Sequence, residues 1–71
     1  MSDDDREVVN AMADYGGDFV KALAVAMVRA DAGNFQILKN AFPVYWNRYA
    51  ERVATEHRLA AREAQTEGGA S

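Results

Sequence analysis

The sequence predicts an all-α fold, a small bundle of three to four helices joined by short helical hairpins. Residues that favour helices, namely alanine, leucine, methionine, glutamate and arginine, are plentiful. Nowhere does a sustained alternation of polar and apolar residues indicate a strand, and the apolar residues instead recur at helical spacing. With 71 residues the chain makes one domain, which buries only about 60% of its unfolded surface and gains stability from a partner or a second copy.

The first predicted helix begins in the acidic N-terminal segment. Residues 3–5 are three aspartates that serve as candidate N-caps and as first-turn acids. The apolar side of this helix consists of Val8, Val9, Met12 and Tyr15. The Gly16-Gly17 pair that follows is a strong stop signal and ends the helix.

The second helix is predicted from Asp18, as its N-cap, to about Asp31. Its apolar residues with the spacing of one inner face are Phe19, Ala22, Leu23, Ala26, Met27 and Ala30. Further valines make the helix apolar on several sides, and such a helix needs contacts on more than one of them. We therefore expect it to be the central helix of the fold or half of a homodimer seam.

The link after this helix has two interpretations. Gly33 can end the second helix with Asn34 capping the third, or Asp31 can cap a third helix that contains Gly33 in its first turn. We prefer Asp31 as the cap. In both cases the short link predicts an antiparallel hairpin, with inward residues Phe35, Leu38, Ala41 and Phe42.

The Phe42-Pro43 step predicts a corner, because proline disfavours helical geometry in the residue before it and is well tolerated at the first position of a new helix. A last helix is expected from Pro43 to about Glu63. Its inner face is predicted to hold Trp46, Tyr49, Val53 and Ala60, and its outer face the pairs Arg48–Glu51 and Arg52–Glu56. Residues 1–64 then form the single helical domain, and residues 65–71 a disordered tail.

Charge and composition narrow the classes of function. Residues 1–33 carry a net charge of −4 and residues 34–71 a net charge of +1, so there is no concentrated basic stripe and nucleic acid is not an expected partner. The absence of cysteine fits a reducing cytoplasm. The acidic N-terminus is unlike a signal peptide, and the longest apolar stretch, residues 19–28, is too short to span a bilayer. We expect a cytoplasmic protein without membrane contact.

No set of residues predicts catalysis, so we expect a protein that is not an enzyme and has no cofactor. His57 is the sole histidine, and Glu56 and Glu51 are not placed to pair with it on a helix, which predicts a surface histidine. No metal-binding motif occurs. The Gly16-Gly17 pair before a helix resembles an anion site, but Asp18 stands where the anion would bind.

The aromatic group around Pro43 is the best candidate site. Helical spacing allows these rings to belong to the core, but a domain of this size has little room for all of them, so one or two of Tyr45, Trp46 and Tyr49 are expected at the surface. Tyrosine, tryptophan and arginine are the types most enriched in binding hot spots. The predicted protein-binding residues are Tyr45, Trp46, Arg48, Tyr49 and Arg52.

Residues 18–49, with an alanine-rich helix, an Arg-Ala-Asp link and an Ala-Phe-Pro corner, resemble small helical proteins encoded by tailed phages and prophages. This resemblance implies an intracellular role in a bacterial host. Phage proteins of this size commonly bind host or phage proteins, and some inhibit defence systems such as CRISPR effectors. The expected function is therefore a small protein-binding module that inhibits or modulates a host protein.

Two alternatives remain open at this stage. One is a small dimeric DNA-binding regulator that uses the helix after Asp31, with Gln36, Lys39 and Asn40 facing the bases. The other is a homo-oligomeric phage assembly or scaffold factor with the Phe19–Ala30 helix as its seam. The sequence does not indicate which protein is the partner, nor whether binding inhibits or activates it.

Overall fold

Four α-helices make up the part of the chain that the computed structural model describes, which is the backbone of residues 1–70 and the side chains of residues 1–64. They are α1 (Asp3–Tyr15), α2 (Asp18–Arg29), α3 (Ala32–Ala41) and α4 (Pro43–Ala70). No strand occurs in residues 1–70, and the predicted all-α fold is confirmed. The predicted end of the last helix at about Glu63 is wrong, because α4 runs to Ala70. The predicted disordered tail, residues 65–71, lies outside the residues described in full and stays a prediction.

The start of each of the first two helices differs by one residue from the sequence-based prediction. The cap of α1 is Ser2, whose hydroxyl accepts a hydrogen bond from the Asp5 amide at 3.1 Å, so residues 3–5 fill the first turn instead of capping it. The cap of α2 is Gly17, which makes no side-chain hydrogen bond. The prediction that Asp18 caps α2 is wrong, because Asp18 is already helical and contributes its charge to the positive end of the helix dipole.

The third helix begins as predicted. Asp31 is the N-cap of α3, and its Oδ1 accepts a hydrogen bond from the Asn34 amide at 2.8 Å. The alternative, with Asn34 as the cap, is thereby excluded. Since Asp31 takes the cap position, α2 ends earlier than expected, at Arg29.

The corner at Phe42-Pro43 is confirmed. Phe42 leaves helical geometry with φ −125° and ψ 59°, while its amide still donates to the Leu38 carbonyl at 3.2 Å. Pro43 is the first residue of α4, where its missing N–H leaves no helical hydrogen bond unmade. The chain therefore changes direction within one residue.

The corner between α1 and α2 depends on close packing at one glycine. A Cβ atom on Gly16 would lie 2.5 Å from the Met12 carbonyl oxygen and 2.5 Å from Cγ1 of Val20. The backbone at Gly16 has φ −74°, which any residue adopts, so the requirement for glycine is one of space and not of conformation. A Cβ on Gly17 would meet nothing within 4 Å.

The core is arranged around α1, which packs against both α2 and α4. Met12 is fully buried and Val9 retains 1% of its exposure. Of the two roles predicted for α2, that of central helix is wrong, and that of half of a homodimer seam stays a prediction. The physical reason is that α1, although five of its thirteen residues are acidic, turns an apolar side to both neighbours. By contrast, α2 contacts α1 along one side and α3 more weakly along another.

The buried face of α2 is rotated from the predicted one. Its buried residues are Val20, Leu23, Ala24 and Met27. Of the predicted inner residues, Phe19, Ala22 and Ala26 are exposed and Ala30 is half-buried. Both sets have the spacing of one helical face, so the contact with α1 and not the periodicity selects between them.

The other two predicted inner faces are correct in part. In α3, Phe35 is buried, Leu38 and the flanking Phe42 are half-buried, and Ala41 is exposed. In α4, Trp46 and Tyr49 are buried and Val53 is half-buried, but Ala60 is exposed. Ala60 is exposed because α4 continues past the point where α1 ends its contact with it, so that every described side chain of residues 54–64 is exposed.

Candidate protein-binding surface

Two of the five residues predicted for binding lie in the core. Trp46 is 7% exposed and Tyr49 is 9% exposed. The Trp46 ring meets the edge of Phe35 with centroids 5.7 Å apart, and Nζ of Lys39 lies 4.7 Å from its centroid. These two side chains hold α3 and α4 against the bundle and present almost no surface to a partner.

The third predicted aromatic residue, Tyr45, belongs to a cluster at the surface. Its ring centroid lies 5.5 Å from that of Phe19 and 6.4 Å from that of Phe42. Phe19 and Phe42 meet in a T-shaped arrangement at 5.7 Å. Phe19 remains 54% exposed, so the cluster joins the start of α2 to the α3–α4 corner while leaving much of one ring in solvent.

The two predicted arginines lie one turn apart on the exposed side of α4. The Arg48 guanidinium is 6.0 Å from the Tyr45 ring centroid, and within residues 1–64 it makes no ion pair, so the predicted pair with Glu51 is absent there. The Arg52 guanidinium lies 3.7 Å from the centroid of Tyr15. Arg52 also forms the predicted ion pair with Glu56, at 3.2 Å.

These contacts define one surface built from α1, α2 and α4, which we call the aromatic–arginine surface. Its residues are Tyr15, Phe19, Phe42, Tyr45, Arg48 and Arg52. The sequence analysis does not predict Tyr15, Phe19 and Phe42 for this surface, because it expects all three on inner faces. An alternative face of α2, with Val20 and Met27 inward, fits the helical spacing equally well and turns Phe19 toward solvent.

His57 is exposed, as predicted, but it has a partner that the sequence does not reveal. Its Nε2 bonds the Glu7 carboxylate on α1, a residue 50 positions away in the chain. The hydrogen bond to Glu7, followed by the charge of Glu7, raises the pKa of His57 above its ordinary value of 6.5. The pair links the outer part of α4 to α1, and the protonated imidazole is the form that the link favours.

A groove of about 300 Å³ separates the N-terminal half of α1 from α4. Trp46 and Val53 contribute to its apolar lining, and Asp4, Asp5 and His57 to its polar lining. Asp5 is already paired with Lys39 at 3.3 Å. Among the described residues no group of three or more acidic, histidine or cysteine side chains is placed to hold a metal ion.

In the part of the chain that the structure describes, no helix is both long enough and apolar enough to cross a membrane. Comparison of the chain with models of protein families, with curated proteins and with solved structures finds no match. The candidate site therefore depends on the chemistry of the aromatic–arginine surface.

Proposed function

We propose that this chain is a small non-enzymatic module that binds another protein through the aromatic–arginine surface. The observation that supports it most strongly is the aromatic cluster beside Arg48, in which Phe19 is exposed and Phe42 and Tyr45 are half-buried. Each Å² of apolar surface removed from water contributes about 25 cal/mol, and aromatic and arginine side chains dominate binding hot spots. A partner that covers Phe19 recovers this contribution.

The charge at the edge of the cluster indicates the chemistry of the partner. Arg52 is neutralised in part by Glu56, whereas Arg48 has no carboxylate partner in residues 1–64. The Arg48 guanidinium lies beside the Tyr45 ring, and guanidinium groups form bidentate pairs with carboxylates. The partner is thus expected to present an acidic side chain next to an apolar one.

The most specific form of the proposal is a phage-encoded inhibitor of a host defence protein, with CRISPR effectors as the first class to test. It is supported by the resemblance of residues 18–49 to small phage proteins. Expression of the chain in a bacterium with an active CRISPR nuclease should raise the plating efficiency of a targeted phage. Unchanged plating efficiency in several such hosts would contradict inhibition of CRISPR effectors. It would leave the proposal of protein binding in place, which is tested separately below.

The DNA-binding alternative is weakened by contacts within α3. Nε2 of Gln36 donates to Oδ1 of Asn40 at 3.2 Å, and Lys39 is paired with Asp5. The three side chains that would face the bases are therefore engaged within the chain. Reading DNA would require breaking these contacts in a region that supplies one positive charge.

The test is an affinity purification of the tagged chain from host lysate, followed by titration with the purified partner. Phe19→Ala and Arg48→Glu should each raise the Kd at least about tenfold. Ile37→Ala is the matched control, because Ile37 is exposed at 64% on α3 and lies outside the surface. Circular dichroism verifies that each variant is folded. Equal Kd values for wild type and both surface variants would contradict the proposal.

A further inference from the structure

The outward side of α2 carries apolar side chains that nothing in the described part of the chain covers. Val25 is 52% exposed and Val28 is 64% exposed, and Ala22 and Ala26 are exposed as well. α1 packs against the opposite side of the helix, which holds Leu23 and Met27. A single exposed valine is ordinary, but here four exposed apolar residues lie on one helix that has twelve residues.

A single stripe runs along this side with a charge at each end. Asp18, Ala22, Val25 and Arg29 occupy positions i, i+4, i+7 and i+11, which is the spacing of a coiled-coil seam. The two end residues lie about 16 Å apart along the helix axis. Both are exposed, and within residues 1–64 neither takes part in an ion pair.

We infer that this stripe is the contact between two copies of the chain, with the two α2 helices antiparallel. A two-fold axis between Leu23 and Ala24 brings Asp18 of each copy to Arg29 of the other. The same axis brings Ala22 of each copy to Val25 of the other, so that a small residue faces a larger one. The seam then has an ion pair at each end and apolar contacts in its centre.

The order of charges favours a second copy in this orientation over other occupants. In a parallel pair, Asp18 would face its own copy and so would Arg29, and like charges would repel at both ends. A partner helix fits this stripe if it presents a basic, a larger apolar, a small and an acidic residue in that order. A second α2 in antiparallel orientation presents this order. Self-complementarity of this kind is what a two-fold interface requires.

The size of the contact sets the expected strength. α2 has twelve residues, so the seam is about 18 Å long and falls at the small end of specific interfaces. The dimer is therefore weak, with a dissociation constant of about 1 to 100 µM. The inference does not depend on the proposed function, because Arg48→Glu changes the aromatic–arginine surface and should leave dimerisation unchanged.

The test is sedimentation equilibrium of the full chain from about 5 to about 500 µM at low salt, where end-to-end ion pairs are least screened. The wild type should show a reversible monomer–dimer equilibrium. Asp18→Arg and Arg29→Asp should each weaken it at least about tenfold, since each puts like charges at both ends. The combined variant Asp18→Arg/Arg29→Asp should restore the wild-type value within about threefold, and a mixture of the two single variants should form a mixed dimer.

Exchanging Asp18 and Arg29 can destabilise α2 itself, because the helix dipole favours the native charges at its ends. A second pair of variants therefore tests the dimer without changing these charges. Val25→Glu should give a monomer over the whole range. Leu59→Glu on α4 is its matched control, because Leu59 and Val25 are both 52% exposed, and it should dimerise like the wild type. A wild type that stays monomeric at about 500 µM, or a Val25→Glu variant that dimerises like the wild type, would overturn the inference.

Discussion

The two halves of α4 share one continuous helix but have opposite environments. In the inner half, residues 43–53, Trp46 and Tyr49 are buried and Ala50 and Val53 are half-buried. In the outer half, residues 54–64, every side chain is exposed. The hydrogen-bonding pattern of a helix is the same in both, so the comparison isolates what tertiary packing adds. An isolated helix of this length is marginal in water, and the inner half owes its stability to α1 and α3.

The outer half is connected to the rest of the molecule by few contacts. It continues from the inner half without a break, and His57 bonds Glu7 on α1. Arg52, just before the boundary, forms an ion pair with Glu56 just after it. Exposed ion pairs of this kind contribute about 0–1 kcal/mol. We therefore expect the outer half to lose helical structure under conditions in which the inner half stays folded.

The largest expected effect comes from removing the buried ring of the inner half. Trp46→Ala should lower the free energy of unfolding by about 3–5 kcal/mol, because it leaves a cavity against Phe35 and α1. That is most of the stability of a chain of this size. Leu59→Ala in the outer half should change it by no more than about 0.5 kcal/mol. Urea titration of both variants measures the difference, and comparable losses would show that the two halves are not distinct.

Proline substitutions test the same boundary through the backbone. Ala50→Pro should destabilise the whole domain by about 3 kcal/mol or more, since it removes a helical hydrogen bond beside buried Trp46 and Tyr49. Ala60→Pro should abolish helical structure in the outer half and leave the unfolding midpoint of the bundle nearly unchanged. Circular dichroism with urea titration separates the two outcomes. A large shift of the midpoint for Ala60→Pro would mean that the outer half stabilises the core.

The two adjacent glycines at the α1–α2 corner allow the same comparison of a packed with an open position, because Gly16 is closely packed and Gly17 is not. Gly16→Ala should cost about 1–3 kcal/mol, because the new Cβ would overlap the Met12 carbonyl oxygen and Val20. Gly17→Ala meets nothing within 4 Å and should cost less than about 1 kcal/mol, because alanine is a poorer N-cap than glycine but restricts the unfolded chain. Thermal unfolding of the two variants gives the measurement, and a reversed order would refute the packing argument.

The smallest effect is the pH dependence of the link between His57 and Glu7. The pKa of His57 is raised above 6.5 in the folded protein, so the link contributes fully below about pH 6.5 and is lost as the pH rises through the folded value. The ¹³Cα shifts of residues 54–64 should therefore become less helical as the pH rises above about 6.5. Glu7→Gln should return the pKa of His57 toward 6.5, measured from its ring proton shifts. A pKa that is the same in both proteins would contradict the contact.

The boundaries of the helices were predictable where a local residue decides them. Gly16-Gly17, Asp31 and Pro43 each act through their own backbone or through a neighbour three residues away, and all three predictions are confirmed. The cap of α2 was not predictable, because glycine and aspartate are both acceptable N-caps. The choice between Gly17 and Asp18 depends on how α2 meets α1. The position of a break between two helices is thus more predictable from local chemistry than the identity of the N-cap residue.

The candidate site was predictable only in part. The sequence led to Arg48 and Arg52, which are exposed, and to Tyr45, which is half-buried, although binding at that surface stays a prediction. It also led to Trp46 and Tyr49, which the fold buries. Aromatic residues at helical spacing fit the core and a contact surface equally well, and only the position of the neighbouring helices distinguishes the two.

The sequence by itself determined that the chain forms helices, and that it breaks at the glycine pair, at Asp31 and before Pro43, because these depend on interactions within a few residues. The tertiary structure decided which side of α2 is buried, that α1 is the central helix, and that Glu7 meets His57. A helix that is apolar on nearly all sides has no preferred inner face until another helix packs against it. That is why Phe19 and Val25 lie in solvent, where the surfaces for a partner and for a second copy are proposed.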